Sequence, residues 1–175
     1  MSIDQQALAT LLAKEEIREL AMLYSRGVDR KDAELLQSLY TADGTDNHGK
    51  YFNGTATDYV QFLDKSFPYM PMSAHNICNH LVSVDGDQGE GEVYAIAFHL
   101  IPDGKGGMLE DFMLCRYIDS YRKEEGRWKF AHRVLAFDHH ANRPFTVSDA
   151  LVPTGPADPS YGALASRLFA RGPRI

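Results

Sequence analysis

Between residues 73 and 139 the sequence divides into four strand-like runs, 73–84, 92–101, 108–122 and 127–139. The gaps between them, 85–91, 102–107 and 123–126, are short and carry Asp85-Gly86-Asp87, Asp103-Gly104-Lys105-Gly106-Gly107 and Glu124-Glu125-Gly126, each a turn signal. A parallel pair of strands needs a crossover of about a dozen residues or more. Spacers this short permit hairpins alone, so the second half of the chain is predicted to be an antiparallel meander.

The first half has a different period. Leu8, Leu12, Leu20, Leu23, Tyr24 and Val28 mostly keep the three- and four-residue spacing of a helix face, which predicts one long or two abutting helices ending near Gly27. Asp29 follows Tyr24 by five residues, about 140° round an ideal helix, so the two converge only if the helix ends before Asp29. Asp32 caps a second helix carrying Leu35, Leu36 and Leu39, and Asp43-Gly44 makes a turn. A short strand over 45–48 and a turn at Asn53-Gly54 lead to a third helix. Thr55 or Thr57 caps it, Tyr59, Phe62, Leu63 and Phe67 form its apolar face, and Pro68 and Pro71 end it. Helices first and a meander afterwards specify an α+β fold, with helices packed on one face of a mainly antiparallel sheet. One domain over 1–140 accounts for the patterning. From 141 to 175 the chain is a Pro/Gly/Ala-rich tail with a short apolar helix over 163–169, expected to pack on the domain or on a neighbouring subunit.

Apolar residues make up 44% of the chain and aromatics 11%, enough for a core that also walls an apolar cavity, which points to a small hydrophobic ligand. The net charge of −6, with no Lys/Arg cluster, removes the footprint that nucleic acid requires. No run is long and apolar enough for a membrane span and the N-terminus lacks a secretory pattern, so a cytoplasmic protein is expected. Cys78 and Cys115 sit in apolar strand-like runs and read as reduced core thiols.

Asp29, at the end of the first helix, and His75, at the start of the first long strand, are the residues with most chemical content. A carboxylate that holds an imidazole in one tautomer makes it a better proton acceptor near neutral pH. Read without a partner, each is only a polar residue at an element end. Strand alternation sorts the other groups. His75 shares a face with Ile77, Asn79 and Leu81, so Asn79 reaches the same cavity, while His80 points away. His99 lies beside Ala95 and Ala97, either in space left for a ligand or as a satisfied core histidine. Arg133 lies between Ala131 and Leu135, on the face opposite Trp128 and Phe130, and is either an anion-binding charge or half of an ion pair. Tyr24 is either a phenol donor or a core aromatic. Asp46, His48, Asp138, His139 and His140 are spare metal ligands in principle, but no metal-binding spacing links them, so no metal is expected. The Gly104–Gly107 segment lacks the rest of a phosphate loop, and no nucleophile elbow occurs. Acid–base chemistry without a cofactor remains.

The order of elements, the Tyr24…Asp29 helix end, the His75-Asn76-Ile77-Cys78-Asn79 strand start and the Glu125-Gly126-Arg127-Trp128-Lys129-Phe130 hairpin resemble the SnoaL-like family. That family belongs to the nuclear transport factor 2-like superfamily of cone-shaped α+β barrels, and the resemblance spans about residues 8–140. It implies relatives such as hexachlorocyclohexane dehydrochlorinase, scytalone dehydratase and bile-acid dehydratases. Their catalytic Asp and His match Asp29 and His75, the dehydrochlorinase Arg matches Arg133, and the bile-acid enzyme's Tyr matches Tyr24. The acidic residue of that enzyme's next strand falls near Ala97, with His99 as its substitute. The resemblance implies a cofactor-independent lyase, dehydratase or dehydrohalogenase, acting on a hydrophobic cyclic molecule in a homo-oligomer, trimer or dimer. An enone isomerase and a non-catalytic ligand-binding or small-subunit protein are the alternatives, since the fold hosts both.

Overall fold

The computed structural model describes residues 4–146 and 152–174. A single long helix, α1 (Gln5–Asp29), opens the chain, with the Asp4 carboxylate accepting from the free N–H groups of Gln6 and Ala7. It runs through Gly27 without a break and includes Asp29, contrary to the expected ending near Gly27. Gly27 serves packing instead: a Cβ there would lie 2.7 Å from Leu36 Cδ2, so glycine lets α2 (Ala33–Ser38) press directly on α1. The turn between them is made by Lys31, in the left-handed region at φ 54°, and Asp32 caps α2 through Leu35 N.

Then come β1 (Tyr40–Asn47), β2 (Asn53–Thr55) and α3 (Ala56–Ser66), the last capped by Thr55. The meander follows as β3 (Ser73–Asp85), β4 (Gln88–Pro102), β5 (Met108–Glu124) and β6 (Arg127–Phe145). The six strands lie in the order β2-β1-β6-β5-β4-β3. All pairs are antiparallel except β1 with β6, so the sheet is mixed. It is open, curved round α1 and α3, which makes the architecture a cone-shaped α+β fold with an unclosed wall. The core between sheet and helices centres on Ile17, Leu20, Leu36, Leu39, Tyr121 and Phe130, all fully buried.

Three bulges decide which side chains enter the cone. In β3 the register shifts between Ile77 and His80, so one extra residue turns Asn79 outward and brings His80 onto the face of His75 and Ile77. This reverses the expectation for both residues, and it leaves Cys78 exposed rather than in the core. In β6, Ala131 is extra opposite Ser120/Tyr121, which puts Phe130 and Arg133 on the same inner face, not on opposite ones. Asp138 is extra opposite Leu114/Cys115, and β6 runs on to Phe145, past the expected domain end at 140.

The tail packs on the helices of its own chain, with residues 147–151 outside the described set. Arg26 lies against the rings of Tyr161 and Phe169, Arg30 pairs with Asp158 at 2.8 Å, and Gly172 N donates to Asp32. Its helix is α4 (Ser160–Ala163), with a single 3₁₀ turn at Arg167–Phe169 in place of the expected helix over 163–169. Among the described residues no helix is long and apolar enough to cross a membrane.

Candidate active site

The open end of the cone holds a cavity of about 260 Å³. Val28, Leu63, Met113, Leu135 and Phe137 are among its apolar walls, and Tyr24, His48, Tyr59, His75, His99 and Asp111 are among its polar groups. Few polar groups on a greasy wall hold a small ring and fix its orientation.

His75 enters the cavity from the first turns of β3, where α1 ends against it. Its Nδ1–H donates to Asp29 Oδ1 at 2.7 Å, and its backbone N–H donates to Asp29 Oδ2 at 2.9 Å. Asp29 stands behind the ring and does not line the cavity, so the angle of Tyr24 from Asp29 along α1 is kept: Tyr24 faces the ligand space and Asp29 holds the histidine. Burial pushes the Asp29 carboxyl up. The hydrogen bonds and charge of His75 outweigh it, and the net pKa lies below the usual 3.8. The carboxylate is therefore ionised at neutral pH and accepts from Nδ1–H. Among the described residues no hydrogen bond engages the far nitrogen of His75.

His99 sits beside it, ring centroids 5.1 Å apart. Its Nδ1 faces Asp111 Oδ2 at 3.4 Å, and His140 Nε2 faces the other oxygen at 2.5 Å. Desolvation pushes the His99 pKa down, with Asp111 opposing. His99 is thus held as a neutral imidazole at neutral pH. Ala97 lines the cavity next to it, while Ala95 is buried in the core. Asp111 was not among the sequence candidates, and His140 had figured there only as a spare metal ligand. The signal for Asp111 was the hairpin turn 103–107, whose centre sets His99 opposite Asp111 in the register of β4 and β5.

Arg133 has no access to the cavity. It is wholly buried, with Nε and Nη2 donating to the two Asp119 oxygens at 2.8 and 2.7 Å. The rings of Tyr24, Tyr117 and Phe130 surround the guanidinium at 4.2, 4.1 and 4.0 Å. It meets the cavity only through the rings of Tyr24 and Tyr117, both of which line it. Asn79 is exposed and off the lining.

A second Asp–His pair lies on the wall formed by β1 and α3. Asp46, with no exposed surface, accepts from Tyr40 OH at 2.6 Å and from His48 Nδ1. His48 Nε2 meets Tyr59 OH at 2.9 Å, and Tyr59 OH meets Tyr24 OH at 2.8 Å. On sequence, Asp46 and His48 had figured only as spare metal ligands. Among the described residues no group of three His, Cys, Asp or Glu is placed to hold a metal ion.

The family model of the SnoaL-like domain matches residues 9–134. The chain belongs to that family. No match is found among curated protein sequences. Among solved structures, this SnoaL-like protein is similar to a hexachlorocyclohexane dehydrochlorinase (LinA, type 2) at 16% identity and TM-score 0.72, over 83% of this chain and 99% of that one. It is similar to the type 3 LinA dehydrochlorinase of Novosphingobium barchaimii at 20% identity and TM-score 0.66, over 84% and 99%. A protein of Novosphingobium aromaticivorans provisionally named scytalone dehydratase matches at 20% identity and TM-score 0.67, over 83% and 93%. At these identities the likeness shows the nuclear transport factor 2-like fold, and the chemistry must be argued from the site.

Proposed function

We propose that this protein is a cofactor-independent lyase that eliminates water or a halide from a hydrophobic cyclic substrate. His75 removes the proton from carbon, and Asp29 orients the ring and stabilises the imidazolium that forms. The observation that carries this reading is the 2.7 Å bond from His75 Nδ1 to Asp29, set in the wall of an apolar cavity of about 260 Å³. With Nδ1–H committed to the carboxylate, the lone pair sits on Nε2, the nitrogen with no protein partner among the described residues. Dehydratases and dehydrochlorinases among proteins of this fold support it further. A neutral imidazole takes protons only from activated carbon, so the substrate carries a carbonyl or a comparable group beside the C–H. Among the cavity groups, Tyr24 and His99 serve the leaving group or a developing oxyanion; Arg133 acts only from behind the rings of Tyr24 and Tyr117, and Asn79 takes no part.

General-base work typically contributes about 10² to 10⁴ in rate, so His75→Ala loses that much turnover while folding normally. Full turnover in both His75→Ala and Asp29→Asn would sink the reading. A second reading, an isomerase, is favoured by His99 beside His75, a site from which the proton can return to another carbon. Product mass separates the two, because isomerisation conserves it. We also read the protein as a cytoplasmic homo-oligomer, a trimer, with Tyr94, Leu114 and Ile118 on the outer sheet face as contacts. Light scattering tests this through a mass three times that of the 19.6 kDa chain.

A further inference from the structure

We propose that Asp46, His48 and Tyr59 form a proton relay that acts through Tyr24 on the departing oxygen, so that the group expelled is a hydroxyl and the substrate a hydroxylated ring. This rests on the lyase reading and goes beyond it, since it chooses water over halide.

The relay is a continuous line of hydrogen bonds: Tyr40 to Asp46, Asp46 to His48, His48 to Tyr59, and Tyr59 to Tyr24. A buried carboxylate is costly unless its lone pairs are satisfied. Asp46 takes a phenol on one oxygen and the His48 imidazole on the other, so β1 sets a buried carboxylate directly against that ring. α3 supplies Tyr59, whose ring stacks on His48 with centroids 4.5 Å apart and an interplanar angle of 24°, which fixes the approach of its hydroxyl to Nε2. Tyr24, His48 and Tyr59 all line the cavity that His75 lines. Burial, then the Asp46 charge, raises the pKa of Tyr24; burial and the neighbouring Tyr24 and Asp46 raise that of Tyr59. Both phenols keep their protons at neutral pH and act as donors.

With His48 as the imidazolium, Nδ1–H donates to Asp46, Nε2–H to Tyr59, and Tyr59 O–H to Tyr24. The Tyr24 O–H is then free for a ligand oxygen. In the elimination the C–H electron pair becomes the new C=C bond and its proton goes to His75 Nε2. The C–O pair leaves with the oxygen, which takes the Tyr24 proton and departs as water. Tyr24 is refilled from Tyr59 and Tyr59 from His48 Nε2. His75 ends charged and His48 neutral, and exchange with solvent resets both. Hydroxide, the conjugate base of a very weak acid, leaves poorly unless protonated, whereas chloride needs no proton. A relay with a mobile proton therefore serves a hydroxyl substrate. If the network only satisfied buried polar groups, its loss would not depend on the leaving group.

The test uses full-length protein and matched pairs of one-ring and fused two-ring β-hydroxy ketones and their β-chloro counterparts, followed by enone absorbance. Circular dichroism confirms folding of each variant. Expected is dehydration of a hydroxy ketone by the wild type, with His48→Gln and Tyr59→Phe each lowering the hydroxy-to-chloro ratio of kcat by about 10²-fold. A ratio unchanged in both folded variants overturns the relay, and so does a wild type that turns over only the chloro compounds; elimination by His75 would survive either result. If neither class is turned over, or if His75→Ala keeps full activity, the lyase reading itself falls and the relay with it.

Discussion

The two Asp–His pairs of this cavity are built from the same residues and differ at the far nitrogen. At Asp29–His75 the carboxylate holds Nδ1, and no protein group among the described residues engages Nε2. At Asp46–His48 the carboxylate holds Nδ1, and Nε2 is taken up by Tyr59. The difference teaches that a carboxylate only sets the tautomer; the partner of the other nitrogen decides the task. An imidazole open to the cavity can accept a proton from a ligand, whereas one joined to phenols can only pass a proton along them. Burial separates the pairs as well. Asp46 has no exposed surface, while Asp29 keeps a 13% exposed side chain facing a shallow groove behind His75.

The sharpest way to break the comparison is to remove the open imidazole: His75→Ala is expected to lose about 10² to 10⁴ in turnover, measured as kcat on an eliminated ketone, with an unchanged circular dichroism spectrum. The next effect lies on the floor under the Tyr24 end of the relay. Asp119→Ala leaves the Arg133 guanidinium buried without its counter-charge and should cost about 3–5 kcal/mol, read as a lower urea midpoint. If its stability were unchanged, Arg133 would not be held as an ion pair.

Smaller effects follow from pH. His80, brought inward by the bulge, has a hydrogen bond to Tyr121 OH but no carboxylate contact like that of His75, and burial lowers its pKa to about 4. The unfolded chain then binds more protons between the ordinary 6.5 and about 4, so stability falls as the pH drops through that window. His80→Gln should flatten the slope in thermal melts over the same range. Asp29 acts lower and more weakly. Its carboxyl is depressed, so its contribution is present above the usual 3.8 and is lost as pH falls through the lower folded value. Melts of Asp29→Asn should lack that acid limb.

Much of the fold was legible in the sequence because turn chemistry is local. Three short Gly/Asp/Glu spacers specified the meander, and Asp32 and Thr55 cap the helices where their spacing placed them. Side-chain direction was legible only as far as the first bulge. A single extra residue reverses every later position on a strand, and nothing at Cys78-Asn79, Ala131 or Asp138 marks one, since none is a glycine or proline. That is why Asn79 and His80 exchange faces and why Arg133 joins Phe130. Of the candidate site, Asp29 and His75 stood out as polar residues at element ends, but the contact itself depends on how the end of α1 crosses β3. The Asp46–His48 pair was hidden in the polar run Asp43-Gly44-Thr45-Asp46-Asn47-His48, which reads as a turn and an edge until α3 folds Tyr59 over it.

The most direct test of the central claim is the rate of enone formation from a β-hydroxy ketone carrying deuterium on the carbon that loses its proton, compared in the wild type and in His75→Ala. The account predicts that the wild type is slowed by the deuterium and that His75→Ala forms almost no enone. Unslowed wild-type turnover, or a His75→Ala rate equal to the wild type, would contradict it.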